Sequence, residues 1–232
     1  MLIDMDRVSW LSKEHIKSEA ALLLDNYSFF RGMEVEPPIP LEHIIEAYLG
    51  FTLEYEDMEE LIGFSDVLGA TWLRQKRIAI NEKLLRENIG RMFFTCGHEI
   101  GHIMLHSRYI AGHEAKPLKR NEEQEIVCRE VASKKRGEWQ ADYFAACLLM
   151  PEENVRRAFS TVFGTAPLII HNQKSCFGRS LPLFDPAWER VNEFARMVTE
   201  HGNFTNVSKE AMRVRLEELG LLINNTQNRL LM

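Results

Sequence analysis

Apolar residues recur along the first half of the chain with two spacings, and the changes of spacing mark the elements. In SKEHIKSEAALLLDNY, Ile16, Ala20, Leu23 and Leu24 share one side of a 3.6-residue turn, and Ser12 stands where an N-cap belongs. The prolines of EPPIP, Glu36 to Pro40, break that pattern. LEHIIEAYLG restores it as a second helix, closed by Gly50. FTLEYED then alternates as a strand does, and GATWLRQKRIAIN reads as two strands around a polar turn at Arg74 to Lys76.

From about Asn81 to Ser107 the spacing is helical again. The charged stretch from Ser107 to Arg136 holds one strand-like island, EIVCREV. GEWQADYFAACLLM is a long helix stopped at Pro151, and the same proline opens the helix PEENVRRAF. Thr161 to Pro186 is rich in Gly, Pro and Ser and reads as a loop or linker. Beyond it, AWERVNEFARMVTEH and SKEAMRVRLEELGLL form two helices around a short turn, a helix-turn-helix-like pair. The expected organisation is a mixed α+β domain over residues 1–160, a linker over 161–186 and a C-terminal helical part over 187–232.

Composition narrows the function classes. The net charge of -6 disfavours a large nucleic-acid footprint. Arg213 and Arg215 lie two residues apart, so they do not share a helix face, and Glu217 and Glu218 follow them; that helix reads as structural rather than DNA-reading. No apolar run approaches the roughly 20 residues that span a bilayer. The N-terminal stretch MLIDMDRVSW is acidic and has no signal-like apolar run, so a cytoplasmic protein is expected. Cys96, Cys128, Cys147 and Cys176 show no CxxC spacing and are expected to be free.

The chemistry is concentrated in FTCGHEIGHIMLH. His98 and His102 lie one turn apart on one helix face and can point two imidazoles at one ion. Glu99 sits a quarter-turn round, placed to act on a water bound to that ion rather than to bind it. Gly101 fits a place where a small residue permits close packing. A hydrolytic ion needs a third protein ligand and an open position. In one common arrangement that ligand is a His six residues on, but Arg108 stands there and Leu105 fills the expected glycine position. The alternative, a Glu from a later helix with an Asp four residues on, fits EWQAD. Glu138 can then be the third ligand, and Asp142 can accept a hydrogen bond from a ligand histidine. His106 shares the face of His98 and His102. It lies eight residues beyond His98, about 12 Å along the axis, too far to join one ion, and reads as a supporting histidine.

RMFFTCGHEIGHIMLH followed by EWQADYFAACLLMP resembles the ImmA/IrrE family of bacterial metallo-endopeptidases. EPPIPLEHIIEAYLGF, GATWLRQKRIAIN and VSKEAMRVRLEELGLL follow the order of that family, so the resemblance covers roughly residues 12–222. It implies a zincin-like metalloprotease domain, with a small sheet packed on the HExxH helix, plus the C-terminal helical part. It implies site-specific cleavage of a protein substrate, a helix-turn-helix repressor of mobile-element or stress genes. It carries the metal ligands to His98, His102 and Glu138, and the catalytic role to Glu99. The long charged stretch between His102 and Glu138 departs from the family pattern.

His/His/Glu ligation makes zinc the expected ion, with manganese as the alternative. Tyr109, Tyr143 and His171 are candidate oxyanion donors among which the sequence does not choose. RIAIN, Arg77 to Asn81, is the candidate edge strand for holding substrate, with an interior strand as its rival. Two other functions compete: a DNA-binding regulator with a vestigial metal site, and a peptidase for short peptides. The intact HExxH argues against the first, since a purely structural zinc has no use for Glu99.

Overall fold

The computed structural model describes residues 5–114, 126–129, 135–170 and 186–224. A 3-10 turn, Met5–Arg7, leads to α1 (Lys13–Arg31). Ser12 caps α1, its Oγ accepting from the His15 N–H at 3.1 Å, and Gly32 ends it at φ +67°, where a side chain would be strained. The helix buries Ile16, Ala20, Leu23 and Tyr27, an i, i+4, i+7, i+11 stripe.

LEHIIEAYLG does not form one regular helix. The single turn α2 (Leu41–His43) runs into a π-helical turn, Ile44–Tyr48. Ile44 and Ile45 are both fully buried there, and the wider turn accommodates adjacent inward side chains.

The remaining elements before residue 150 are β1 (Thr52–Glu56), α3 (Met58–Ile62), β2 (Val67–Trp72), β3 (Arg77–Asn81), α4 (Lys83–Glu87), α5 (Ile89–Glu114), β4 (Ile126–Arg129) and α6 (Arg136–Leu149). The four strands form one mixed sheet in the order β1-β3-β2-β4. β1 is parallel to β3, with Thr52 opposite Arg77, and β2 is antiparallel to both β3 and β4. RIAIN is therefore an interior strand, not the edge strand envisaged for substrate. Ile78, Ala79 and Ile80 are all fully buried, as expected of a strand covered on both faces. Each buried isoleucine there contributes about 1.5–3 kcal/mol of transfer free energy.

Helix α5 packs against β2 and β3 on one side and α6 on the other. Two glycines permit the second contact. A Cβ at Gly101 would lie 3.0 Å from the Ala141 Cα and 3.1 Å from its carbonyl oxygen. One at Gly97 would lie 3.1 Å from the Ala145 Cβ. The Gly97/Gly101 and Ala141/Ala145 rows thus form a seam of small residues that draws the two helices together.

The chain divides into two compact units between Leu149 and Met150. The second contains α7 (Glu152–Phe163), β5 (Leu168–Ile170), α8 (Pro186–His201), α9 (Lys209–Glu218) and β6 (Leu222–Asn224), with β5 and β6 paired in parallel. Val155, Phe159, Val191, Val198, Phe204, Met212 and Leu216 form its buried interior. Arg215 is buried among them and donates to the Met150 carbonyl and to Glu218, while Arg213 pairs with Glu210 and Glu217. Among the described residues no helix is long and apolar enough to cross a membrane.

Candidate metal centre

The seam between α5 and α6 brings three ligand-type side chains together. His98 Nε2 and His102 Nε2 lie 2.9 Å apart, with Glu138 Oε2 at 3.2 Å from the first and 3.7 Å from the second. Ligands about 2.0–2.2 Å from a tetrahedral zinc are separated by roughly 3.3–3.5 Å, and the observed spacings bracket that value. The two rings are buried, and the Glu138 side chain is 13% exposed. Two imidazole nitrogens and a carboxylate oxygen converging in so little water need a proton or a cation between them. The set fits a divalent metal ion.

Electrostatics point the same way. Burial opposes ionisation of Glu138, but hydrogen bonds from His102 and His98 and their positive charge when protonated overcome it. The carboxyl is held well below the usual carboxylate range. A metal ion would act on it with the same sign.

The outer nitrogens of both rings are engaged. His98 Nδ1 lies 2.7 Å from Asp142 Oδ1, so the ring donates to the carboxylate and keeps its lone pair on Nε2. His102 Nδ1 lies 3.0 Å from His106 Nδ1, and His106 Nε2 lies 2.8 Å from Gln140 Oε1. His106 is buried, and burial pushes its pKa down to about 4, so it is neutral near pH 7.

Glu99 faces the sheet. It is fully buried, and its Oε2 accepts from the Thr71 hydroxyl at 2.6 Å. Its Oε1 has no hydrogen-bond partner among the described residues. Burial raises the Glu99 pKa, against the opposing effects of His102, His98 and the Thr71 hydrogen bond. A buried carboxylate with one unsatisfied oxygen is a strong acceptor for an incoming water. Gly69 of β2 makes room for it: a Cβ there would lie 3.0 Å from Glu99 Oε1 and 2.8 Å from Thr95 Cγ2.

Of the candidate oxyanion donors, Tyr109 packs against the Met5, Val8 and Ile110 cluster. Tyr143 stacks on Trp139, and Lys13 Nζ lies 4.9 Å from its ring. His171 lies outside the described residues. Cys96 and Cys147 are buried, and burial pushes the Cys96 thiol pKa up. Cys176 and the Cys128 side chain lie outside the described set. Sequence reasoning missed Thr71, Gln140 and Ser9, whose carbonyl accepts from Gln140 at 3.0 Å. Gln140 alone left a trace, inside EWQAD and one turn before Phe144 on the buried side of α6.

Residues 52–166 match the IrrE N-terminal-like domain of the Peptidase_M78 family. The chain carries an IrrE N-terminal-like domain over those residues. Comparison with curated proteins finds no match. The IrrE N-terminal-like region runs from β1 past the end of α7. It contains Thr71, His98, Glu99, His102, His106, Glu138, Gln140 and Asp142, but not Ser9. The family supports a peptidase acting on protein, and the buried His98, His102 and Glu138 cluster fits the metal ion of a metallopeptidase.

Proposed function

We propose that the chain is a zinc-dependent endopeptidase of zincin-like fold that acts in the cytoplasm on a helix-turn-helix transcriptional repressor. Cleavage of the repressor relieves silencing of mobile-element or stress genes. One observation carries the metallopeptidase part. His98 and His102 of α5 and Glu138 of α6 converge within 4 Å beside Glu99, which is buried with one oxygen unpartnered among the described residues. The small mixed sheet packed on α5 supports the zincin-like reading. The repressor substrate rests on the family resemblance.

His98, His102 and Glu138 hold the ion, with Asp142 orienting His98. When bound, the ion supplies Lewis acidity and a water whose pKa is lowered toward neutrality. Glu99 accepts the proton of the attacking water and returns it to the leaving amine. Thr71 holds Glu99 Oε2, leaving Oε1 for that proton. A raised pKa suits Glu99 to both halves of the transfer. The substrate adds as a strand at a sheet edge, and with β3 interior the edge strands are β1 and β4.

The test is co-incubation with the helix-turn-helix repressor encoded nearest the gene, with zinc or manganese, read by intact mass. A single cut made by wild type and not by Glu99→Gln is expected. Cleavage of short peptides with every such repressor left whole would refute the repressor substrate.

A further inference from the structure

On the reading that His98, His102 and Glu138 bind a metal ion, we propose that His106 and Gln140 are positioning residues. They form a buried hydrogen-bond relay, anchored on the Ser9 carbonyl, that fixes the tautomer and orientation of His102. The Met5–Ser9 segment, outside the matched peptidase domain, is thereby part of the metal centre.

The sense of each link follows from donor and acceptor chemistry. The Ser9 carbonyl can only accept, so Gln140 turns its amide nitrogen toward it, at 3.0 Å. Gln140 Oε1 therefore faces His106 Nε2, at 2.8 Å, and being an acceptor requires a proton on that nitrogen. His102, bound to the ion through Nε2, carries its proton on Nδ1, so His106 offers a lone pair on its own Nδ1. That lone pair receives the Nδ1–H of His102, at 3.0 Å. His102 is left with its lone pair on Nε2, the nitrogen that faces His98 Nε2 and Glu138. With the ion on His102 Nε2, reversing any link leaves a group unsatisfied or sets two protons face to face. His102, His106 and Gln140 are all buried, so water cannot substitute for a lost partner.

The anchor is itself held firmly. Arg136 donates from Nη1 to the Val8 carbonyl at 3.1 Å. Gly137 lies so close to the segment that a Cβ would meet Met5 Cε at 2.8 Å and the Met5 carbonyl at 3.0 Å. Met5 and Val8 are buried with Ile110 of α5. The segment thus grips the first turn of α6, which carries Glu138, and closes the relay one turn further on. His98 is oriented by a partly exposed carboxylate, Asp142, while His102 is oriented by a neutral, buried chain.

The experiment measures zinc affinity of the full chain by competition with a chelator of known affinity. Wild type is compared with His106→Leu, His106→Gln and Gln140→Leu. Leucine fills the space at 106 but offers no acceptor. Glutamine can accept from His102 and donate to Gln140. Loss of such an orienting partner typically weakens a metal site by about 10–100-fold. The relay predicts that loss for His106→Leu and Gln140→Leu, with His106→Gln within about threefold of wild type. A packing role predicts that leucine serves at least as well as glutamine. Long-range proton–nitrogen NMR of the zinc-loaded wild type reads the tautomers without any variant, with Nδ1–H expected on His102 and Nε2–H on His106. The opposite tautomer on either ring overturns the relay. So does unchanged affinity in His106→Leu, and zinc binding by wild type in that case leaves the metal centre standing. Failure of wild type to bind zinc overturns the metal centre and the relay with it.

Discussion

Substitution of Gly101 by valine tests whether close packing of α5 on α6 is what assembles the site. The Cβ of any residue at 101 would sit 3.0 Å from the Ala141 Cα and 3.1 Å from its carbonyl oxygen. Both are backbone atoms, so no side chain can rotate away, and the helices must separate by several tenths of an ångström. Overpacking of this kind costs about 1–3 kcal/mol. The better helix propensity of valine over glycine returns only about 0.4 kcal/mol. The net loss is then about 1–3 kcal/mol. For a unit of this size each kilocalorie lowers the melting temperature by about 2–4 °C, so a fall of about 2–12 °C is expected in the zinc-free protein. Glu138 lies three residues before Ala141 on the same helix, so the displacement also carries it away from His98 and His102. Zinc affinity should fall at least about tenfold, by the scale of perturbed metal sites. Thermal unfolding by circular dichroism and a zinc titration read the two effects. A melting temperature within about 1 °C of wild type, with unchanged zinc affinity, would refute the packing argument.

Three further predictions concern the titratable groups of the site. Glu99→Gln should bind zinc as wild type does yet cut no substrate at all, and cleavage retained by this variant would sink the assigned base. Thr71→Val should slow cleavage by about 10–100-fold, since a hydrogen bond to a buried carboxylate is worth about 1.5–3 kcal/mol, with zinc content unchanged; an unaltered rate would remove Thr71 from the site. Burial holds the His106 pKa at about 4 in the folded state, against an ordinary histidine value of 6.5, so the folded protein takes up its proton later than the unfolded chain. Its contribution is present above pH 6.5 and is lost as pH falls toward 4, about 3 kcal/mol in all. Urea unfolding of zinc-free protein at pH 7 and pH 4.5 should show a steeper loss for wild type than for His106→Gln, and equal slopes would contradict it.

What could be read before folding was what one element encodes by itself. Ser12 and the stripe Ile16, Ala20, Leu23 marked α1, and Pro151 marked the break between α6 and α7, because capping and periodicity are local. The order of the sheet was not legible. Pairing of Thr52 with Arg77 joins residues far apart in the chain, and nothing in RIAIN says which neighbours it will find. β5 and β6 are three residues each, too short for alternation to register. The same division runs through the site. His98, Glu99 and His102 share two helical turns, and Glu138 and Asp142 one more, so spacing alone selected the residues that the structure brings together. Thr71 comes from β2 and Ser9 from the N-terminal segment, and only tertiary packing delivers them. Tyr109 and Tyr143 are donors by residue type, and the ring contacts they make do not choose between them.

Helices α5 and α6 together would build one metal site from His98, His102 and Glu138. Native mass spectrometry of the zinc-loaded full chain tests it most directly, with wild type, Glu99→Gln and Glu138→Ala side by side. One zinc per chain is expected in the first two, with a marked loss in Glu138→Ala. No zinc in wild type, or full zinc in Glu138→Ala, would contradict it.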